Sequence, residues 1–459
     1  MKTVVHTLLL CLMASLLPAQ IWDSKNIEFA LPSQGWRIRP VDNKTAWTFG
    51  FTITEDPFEA WAFTDSEFTC QRTINGGESW EELDFKTLEP GSGFICDVEG
   101  LSDKIAYLSY YNYEEGPLLY KTKNGGLSWQ TDNAGMTYFL NWVHFYDVNN
   151  GIAFGDPGDD GFFEISYTTD GGNNWTLIDS DKSIESAFED EYGVYGDFTV
   201  GGSFIFTRSD YDRIFYSKDR GRSWQEAVTL SFETSALWGL AANDQGALYA
   251  AYNTENTNAF MIYKRDPLTG DWTNVSPSDT TGYLAGMSTI PGTNTLLINK
   301  HFDFADDQTF VTLASTDGGA NWLEVSKNQG FRTGFTSFYN ASVGYACEIP
   351  GDYDSPSDNV FVYNGSPLTG LLSQNILNGK MNLFPNPATD RIHLNFDAEE
   401  VNEYIIFIHD NHGKLMLRKD LASSKGVHET IPINPLPSGE YVVTLSNKKG
   451  FRSMAFVKP

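Results

Sequence analysis

Thr73-Ile74-Asn75-Gly76-Gly77-Glu78-Ser79-Trp80 is the first copy of the pattern that decides the fold. A hydroxyl residue is followed by Asp or Asn, then Gly, then Trp, at fixed offsets. The pattern returns as Thr122-Lys123-Asn124-Gly125-Gly126-Leu127-Ser128-Trp129 and as Thr168-Thr169-Asp170-Gly171-Gly172-Asn173-Asn174-Trp175. Two further copies are Ser217-Lys218-Asp219-Arg220-Gly221-Arg222-Ser223-Trp224 and Ser315-Thr316-Asp317-Gly318-Gly319-Ala320-Asn321-Trp322. A worn copy sits at Lys264-Arg265-Asp266, with Gly270 and Trp272. The chemistry is that of a turn. Asp or Asn accepts from backbone amides just downstream, Gly tolerates positive φ, and Trp covers one side.

The tryptophans at 80, 129, 175, 224, 272 and 322 stand 46 to 50 residues apart. A fixed period of that size marks a stacked or ring-shaped array. Each period holds alternating apolar stretches, clearest at 36–47, 94–107, 142–154, 238–249 and 335–346. These read as the two inner strands of successive four-stranded blades, which selects a β-propeller. The last period ends in a third strand, Phe361-Val362-Tyr363-Asn364-Gly365, with no fourth after it. Trp22 followed by Ile27-Glu28-Phe29-Ala30-Leu31 looks like the missing strand, so the N-terminus is expected to close a seven-bladed ring.

The boxes resemble the Asp-box (BNR) repeats of sialidases, sortilin-like receptors and photosystem II assembly factors, over roughly residues 21–370. In those families the box joins the third and fourth strands, away from the ligand face. The resemblance therefore makes Asn75, Trp80, Asn124, Trp129, Asp170, Trp175, Asp219, Trp224, Asp317 and Trp322 structural. It places function on the loops between second and third strands: 55–61, 110–115, 156–160, 210–212, 252–256, 301–307 and 352–358. These loops are acidic, mostly carry an aromatic residue, and contain no Lys or Arg. The candidate binding residues are Trp61, Tyr111, Asp156, Asp159, Asp160, Tyr252, Asp303, Asp352 and Asp354. Carboxylates and aromatics suit stacking on neutral sugars or an oxygen-ligated Ca²⁺ contact. Solvated acidic loops are the plain alternative, and Ca²⁺ is the sole cofactor that these loops suggest.

Charge supports that division. The chain of 459 residues carries a net charge of −29. The segment after residue 373 is nearly balanced, so the acidity lies on the repeats. A surface this negative disfavours nucleic acid and anionic lipid. At the N-terminus Lys2 precedes an apolar run ending at Pro18-Ala19-Gln20, which reads as a signal peptide over residues 1–20. No later stretch reads as a transmembrane span. Cys70, Cys96 and Cys347 remain after cleavage, without a CxxC, and read as buried free thiols.

After a polar linker at 371–380, Leu383-Phe384-Pro385-Asn386-Pro387 opens a second domain, 381–459. Alternation at 391–396, 404–409, 415–417, 441–445 and 453–457 predicts a small Ig-like β-sandwich. Pro385-Asn386-Pro387, Gly413-Lys414, Leu436-Pro437-Ser438-Gly439-Glu440-Tyr441 and the basic ending Lys448-Lys449-Gly450 to Lys458 resemble the type IX secretion sorting domain of Bacteroidetes-type bacteria. That resemblance implies the type IX machinery as a partner, export across the outer membrane, and surface attachment or release.

An exported module binding glycan or protein leads this reading, and a glycoside hydrolase acting on neutral polysaccharide is the alternative. Sialidases clamp a carboxylate with three arginines. Trp36-Arg37-Ile38-Arg39-Pro40 echoes their N-terminal element with altered spacing, Arg332 offers a second arginine, and no third is legible. A neutral-glycan hydrolase needs two carboxylates across a cleft, and acids are too numerous to choose a pair. His144 and His301 have no nucleophile partner in the sequence. No Gly-x-Ser-x-Gly, His-Glu-x-x-His or phosphate-cradling loop occurs, so no catalytic residue is assigned.

Overall fold

The computed structural model describes residues 21–27, 33–52, 68–83, 93–227, 230, 235–254, 258–302, 309–329, 333–348, 359–364, 368, 380–397, 402–410, 415–447 and 450–459. Among them the chain is all-β, and its strands up to residue 363 form seven four-stranded antiparallel sheets. Sheet 1 is Ser33–Pro40, Ala46–Thr52, Phe68–Thr73 and Glu81–Leu83. Sheet 2 is Gly93–Gly100, Ala106–Asn112, Gly116–Thr122 and Gln130–Asp132. Sheet 3 is Leu140–Phe145, Gly151–Pro157, Phe163–Thr168 and Thr176–Leu177. Sheet 4 is Gly193–Gly201, Phe204–Ser209, Ile214–Ser217 and Gln225–Glu226. Sheet 5 is Ser235–Ala242, Leu248–Thr254, Ala259–Arg265 and Trp272–Asn274. Sheet 6 is Tyr283–Thr289, Leu296–His301, Thr309–Ser315 and Leu323–Gln329.

Sheet 7 closes the array. Its strands Thr333–Asn340, Val343–Glu348 and Asn359–Tyr363 take their fourth member, Trp22–Asn26, from the start of the chain. Trp22 pairs with Tyr363 and Ser24 with Phe361. In sheet 5, Trp272 likewise pairs with Arg265, the last residue of the third strand, so Trp22 holds the register of a box tryptophan. The closing strand is Trp22–Asn26, ahead of the expected 27–31, and residues 28–32 lie outside the described residues. Each first strand touches the first strand of the next sheet, and that of sheet 7 touches that of sheet 1.

The boxes explain how neighbouring sheets meet. Thr73 Oγ1 donates to Asn75 Oδ1 (2.9 Å) and accepts from the Gly77 amide (2.9 Å), while Asn75 Oδ1 accepts from the Ser79 amide (3.0 Å). The same bonds recur around Asn124, Asp170, Asp219 and Asp317. The second box glycine also abuts the preceding sheet. A Cβ on Gly126 would stand 2.8 Å from Leu83, and one on Gly319 2.6 Å from Val275. Trp322 Nε1 donates to Val275 O of that same preceding sheet (2.8 Å). The box is thus an inter-sheet joint as well as a turn.

Beyond the repeats, Met381–Phe384, Arg391–Phe396 and Val427–Pro432 form one sheet. Leu415–Ser424, Asn402–Asp410, Gly439–Asn447 and Gly450–Lys458 form another. Ile392, Leu394 and Phe396 share one apolar core with Tyr404, Ile406, Val443 and Leu445. The sequence missed the strands at 381–384 and 427–432. The motif residues hold the ends together: Asn386 Oδ1 accepts from the Val457 amide (2.9 Å), and Tyr441 OH donates to Pro437 O (2.7 Å). Cys70, Cys96 and Cys347 are free and buried, and burial lifts the thiols of Cys70 and Cys347 to about 12.

Candidate functional site

The first strands of the seven sheets line a channel of about 1200 Å³. Strict alternation does not decide which side chains face it. Every pairing of a first with a second strand carries a register shift, at places such as Gly35/Arg37, Ile95/Asp97 and Leu237/Gly239. A bulge of this kind re-aims the residues beside it. The largest lies in sheet 4, where Gly193 pairs with Ser209 and Phe198 with Thr207, leaving 194–197 opposite Arg208. This tongue reaches sheets 1 and 2: Tyr195 packs on Phe94 (5.9 Å), and a Cβ on Gly196 would lie 3.2 Å from Arg37 Nε.

The tongue covers a belt of charge. Arg39 Nη2 lies 3.4 Å from Asp97, Arg208 Nε 2.6 Å from Asp197, and His144 Nδ1 2.8 Å from Glu99. Arg39 also stands over the Phe198 ring (4.6 Å). Arg37 stands over the Phe335 ring (4.2 Å), and among the described residues its buried Nε has no hydrogen-bond partner. Burial lowers the Arg37 pKa, opposed by the charge of Asp197. Burial raises Asp97 to about 6 against the pull of Arg39 and Arg37.

The channel is two-sided. Among the described residues its charged members, including Arg37, Glu99, Asp156, Asp197, Arg208 and Asp210, come from sheets 1 to 4 and their loops. Sheets 5 to 7 supply uncharged residues such as Trp238, Gly239, Gly286, Met287, Ser288 and Phe335. Aromatic side chains gather among the lining residues from the connecting loops. Tyr111 stacks on Phe139 (4.7 Å), while Tyr138 and Tyr192 are 46% and 51% exposed. Phe188 and Tyr211, on neighbouring loops, form an exposed stacked pair (4.3 Å).

Two of the candidate residues read from sequence line this channel, Tyr111 and Asp156. Asp156 Oδ1 accepts from Asn141 Nδ2 (2.8 Å) and from the Gly193 amide of the next sheet (2.9 Å). Asp212 and Asn253 tie later sheets in the same way, through the Leu237 and Leu284 amides. Asp159 is exposed and accepts from Tyr138 OH. Asp160 accepts from Ser180 Oγ (2.6 Å) and the Phe162 amide (3.1 Å), and the Ser180 bond holds its pKa down. Tyr252 departs from the expected rim. It is 1% exposed, because its strand turns it into the core with Leu237, Leu240 and Tyr263. Trp61, Asp303, Asp352 and Asp354 lie outside the described residues, as does Arg332. No group of three or more His, Cys, Asp or Glu among the described residues is placed to hold a metal ion.

The sequence missed Asp97, Glu99, Asp197, Arg208 and Trp238. Arg208 is the third channel arginine, on a different sheet from Arg37 and Arg39. The double Arg in Arg37-Ile38-Arg39 and the paired acids Asp97 and Glu99, each at a spacing of two, were the available signal.

Asp156 makes a pH prediction. Burial raises its carboxyl to about 6, against the pull of Asn141 and the Gly193 amide. A raised carboxylate favours the protonated folded chain, so stability from this group falls as pH rises from about 4 through 6. Asp156→Asn keeps an acceptor for both donors and carries no charge. The variant should be more stable by about 2–3 kcal/mol near pH 7.5 and no more stable than the native chain near pH 4. Denaturation midpoints at the two pH values check this, and an equal offset at both would refute it.

Residues 382–458 match the family described as the secretion system C-terminal sorting domain. The tail is a sorting domain. It directs export by type IX secretion to the outer membrane or cell surface. Among the described residues no helix is long and apolar enough to cross a membrane. No curated protein matches the chain.

Solved structures resemble the repeats. YCF48 bound to D1 peptide shares 15% identity over 76% of this chain and 97% of that one, with TM-score 0.53. YCF48 from Cyanidioschyzon merolae shares 13% over 74% and 98%, with TM-score 0.53. The Niastella koreensis GH74 enzyme shares 14% over 95% and 74%, with TM-score 0.47. At such identities the first two show the fold alone, a β-propeller.

Proposed function

We propose that this chain is an exported, closed seven-bladed propeller that binds a neutral glycan at the mouth of its channel. The reading divides it into a leader (1–20), propeller (21–370), linker (371–380) and Ig-like sorting sandwich (381–459). The observation that carries the binding role is the set of half-exposed aromatic side chains, Tyr138 and Tyr192 among them, lining a channel with one uncharged wall. Aromatic faces and an uncharged wall suit sugar rings, whose C–H faces are apolar and whose hydroxyls both donate and accept.

A hydrolase is less well supported. Its two carboxylates must be free to act, whereas Asp97 and Asp197 are paired with arginines and Asp156 is held by Asn141. A peptide is the second ligand class, since YCF48 is a propeller with a peptide bound. The test is a glycan array probed with the full chain. Retention of neutral glycans is expected, with Tyr138→Ala and Tyr192→Ala each weakening it about tenfold, the effect of losing an anchoring aromatic. An array that retains no glycan, beside a peptide library that does yield a ligand, would replace this reading.

A further inference from the structure

The belt beneath the mouth is balanced in charge yet not in hydrogen bonds. Arg37, Arg39 and Arg208 face Asp97, Asp197 and Glu99, three cations against three anions. No net positive charge is left there to attract an anion, and Asp156 and Asp210, which line the same channel, would repel one. Unsatisfied polar atoms remain, however. Arg37 Nε is a buried donor without a partner, and Asn141 Oδ1 is a buried acceptor without one. Both residues line the channel. Such atoms are costly to leave unpaired, so a ligand or water that reached them would gain hydrogen bonds.

The missing partner has to accept at one point, donate at another and carry no charge. A sugar hydroxyl does both. On the uncharged wall Trp238, 44% exposed within the bulge of sheet 5, offers an aromatic face, and Gly239 leaves room beside it. The sheets meet all the way round, so a chain enters along the channel axis, which favours its end.

We propose that Arg37, Asn141 and Trp238 form a terminal subsite for a neutral pyranose at the end of a glycan chain. Arg37 donates to the sugar hydroxyls, Asn141 accepts from one, and Trp238 packs on the ring face. This rests on the glycan-binding reading above and names which part of the ligand reaches the belt.

The test is titration calorimetry of the full chain with neutral gluco-, manno-, galacto- and xylo-oligosaccharides, and with oligogalacturonate, at about 0.15 M salt. A neutral oligosaccharide should bind, and Arg37→Met and Trp238→Ala should each weaken it roughly tenfold or more. Reduction opens only the reducing-end ring, so an alditol that binds roughly tenfold more weakly than its parent puts that end in the subsite, and one that binds equally well puts the non-reducing end there. Trp238 is half-exposed, so Trp238→Ala decides the matter should Arg37→Met not fold. Neutral binding unchanged in both variants, with Tyr138→Ala still weakening it, would overturn the subsite and leave the binding function standing. Tighter binding of oligogalacturonate would overturn the neutral assignment. No binding of any oligosaccharide would overturn the function itself.

Discussion

Trp22→Ala should destabilise the repeat array by about 3–5 kcal/mol, the usual cost of emptying a buried aromatic site. Trp22 is wholly buried, packed edge-on against Tyr363 (5.5 Å) and against Phe338 (6.0 Å), with Nε1 directed at Thr312 Oγ1 (3.4 Å). Those partners belong to sheets 6 and 7, so one side chain from the start of the chain joins two sheets from its end. Trp22→Phe keeps an aromatic body and should recover more than half of the loss. Thermal melts of the two variants beside the native chain check this. A native melting temperature for Trp22→Ala would mean that the closing strand adds nothing to the ring.

Gly221→Ala should cost about 2–4 kcal/mol, from the penalty of an alanine at positive φ and from overpacking. Gly221 has φ +81, and a Cβ there would stand 1.7 Å from Ile152 Cδ1 in sheet 3. Ile152 is fully buried between sheets 3 and 4, so it has little room to yield. The adjacent Arg220, at φ +58, stands where the other complete boxes have glycine. Its guanidinium lies over the Tyr146 ring (5.2 Å), so Arg220→Gly removes both a backbone strain and an attraction. Those two effects are each about 1 kcal/mol and opposite in sign, so that variant should melt close to the native chain. The contrast between neighbouring positions separates the packing joint from the turn.

Local chemistry and the ring closure were legible in the sequence, and the geometry across the channel was not. The boxes were readable because their hydrogen bonds close within one turn, as between Asn75 and Ser79. The ring closure was readable because a third strand at Phe361 lacked a partner and Trp22 supplied a box-like signal. The belt was hidden because Arg37, Asp97 and Asp197 come from three different sheets and meet only across the channel. The bulges hid it further: the shift between Ile95 and Asp97 breaks the period of two from which facing residues are inferred. Tyr252 was misplaced for a related reason. It ends an alternating run where loop and core are equally plausible, and strand pairing to Met261 turned it inward.

The pairing of Trp22 with Tyr363 has a consequence for biogenesis. Residues made first find their partners only after more than three hundred others have been added, so the growing chain stays an incomplete circle until residue 363 has been made. Until then the strand 359–363 offers a bare edge, open to a second copy of 22–26 from another molecule. Export that delays folding until the whole polypeptide has crossed would favour the partner on the same chain. The two ends of the circle also lie side by side, so a permuted gene could begin between any two sheets and still rebuild the ring.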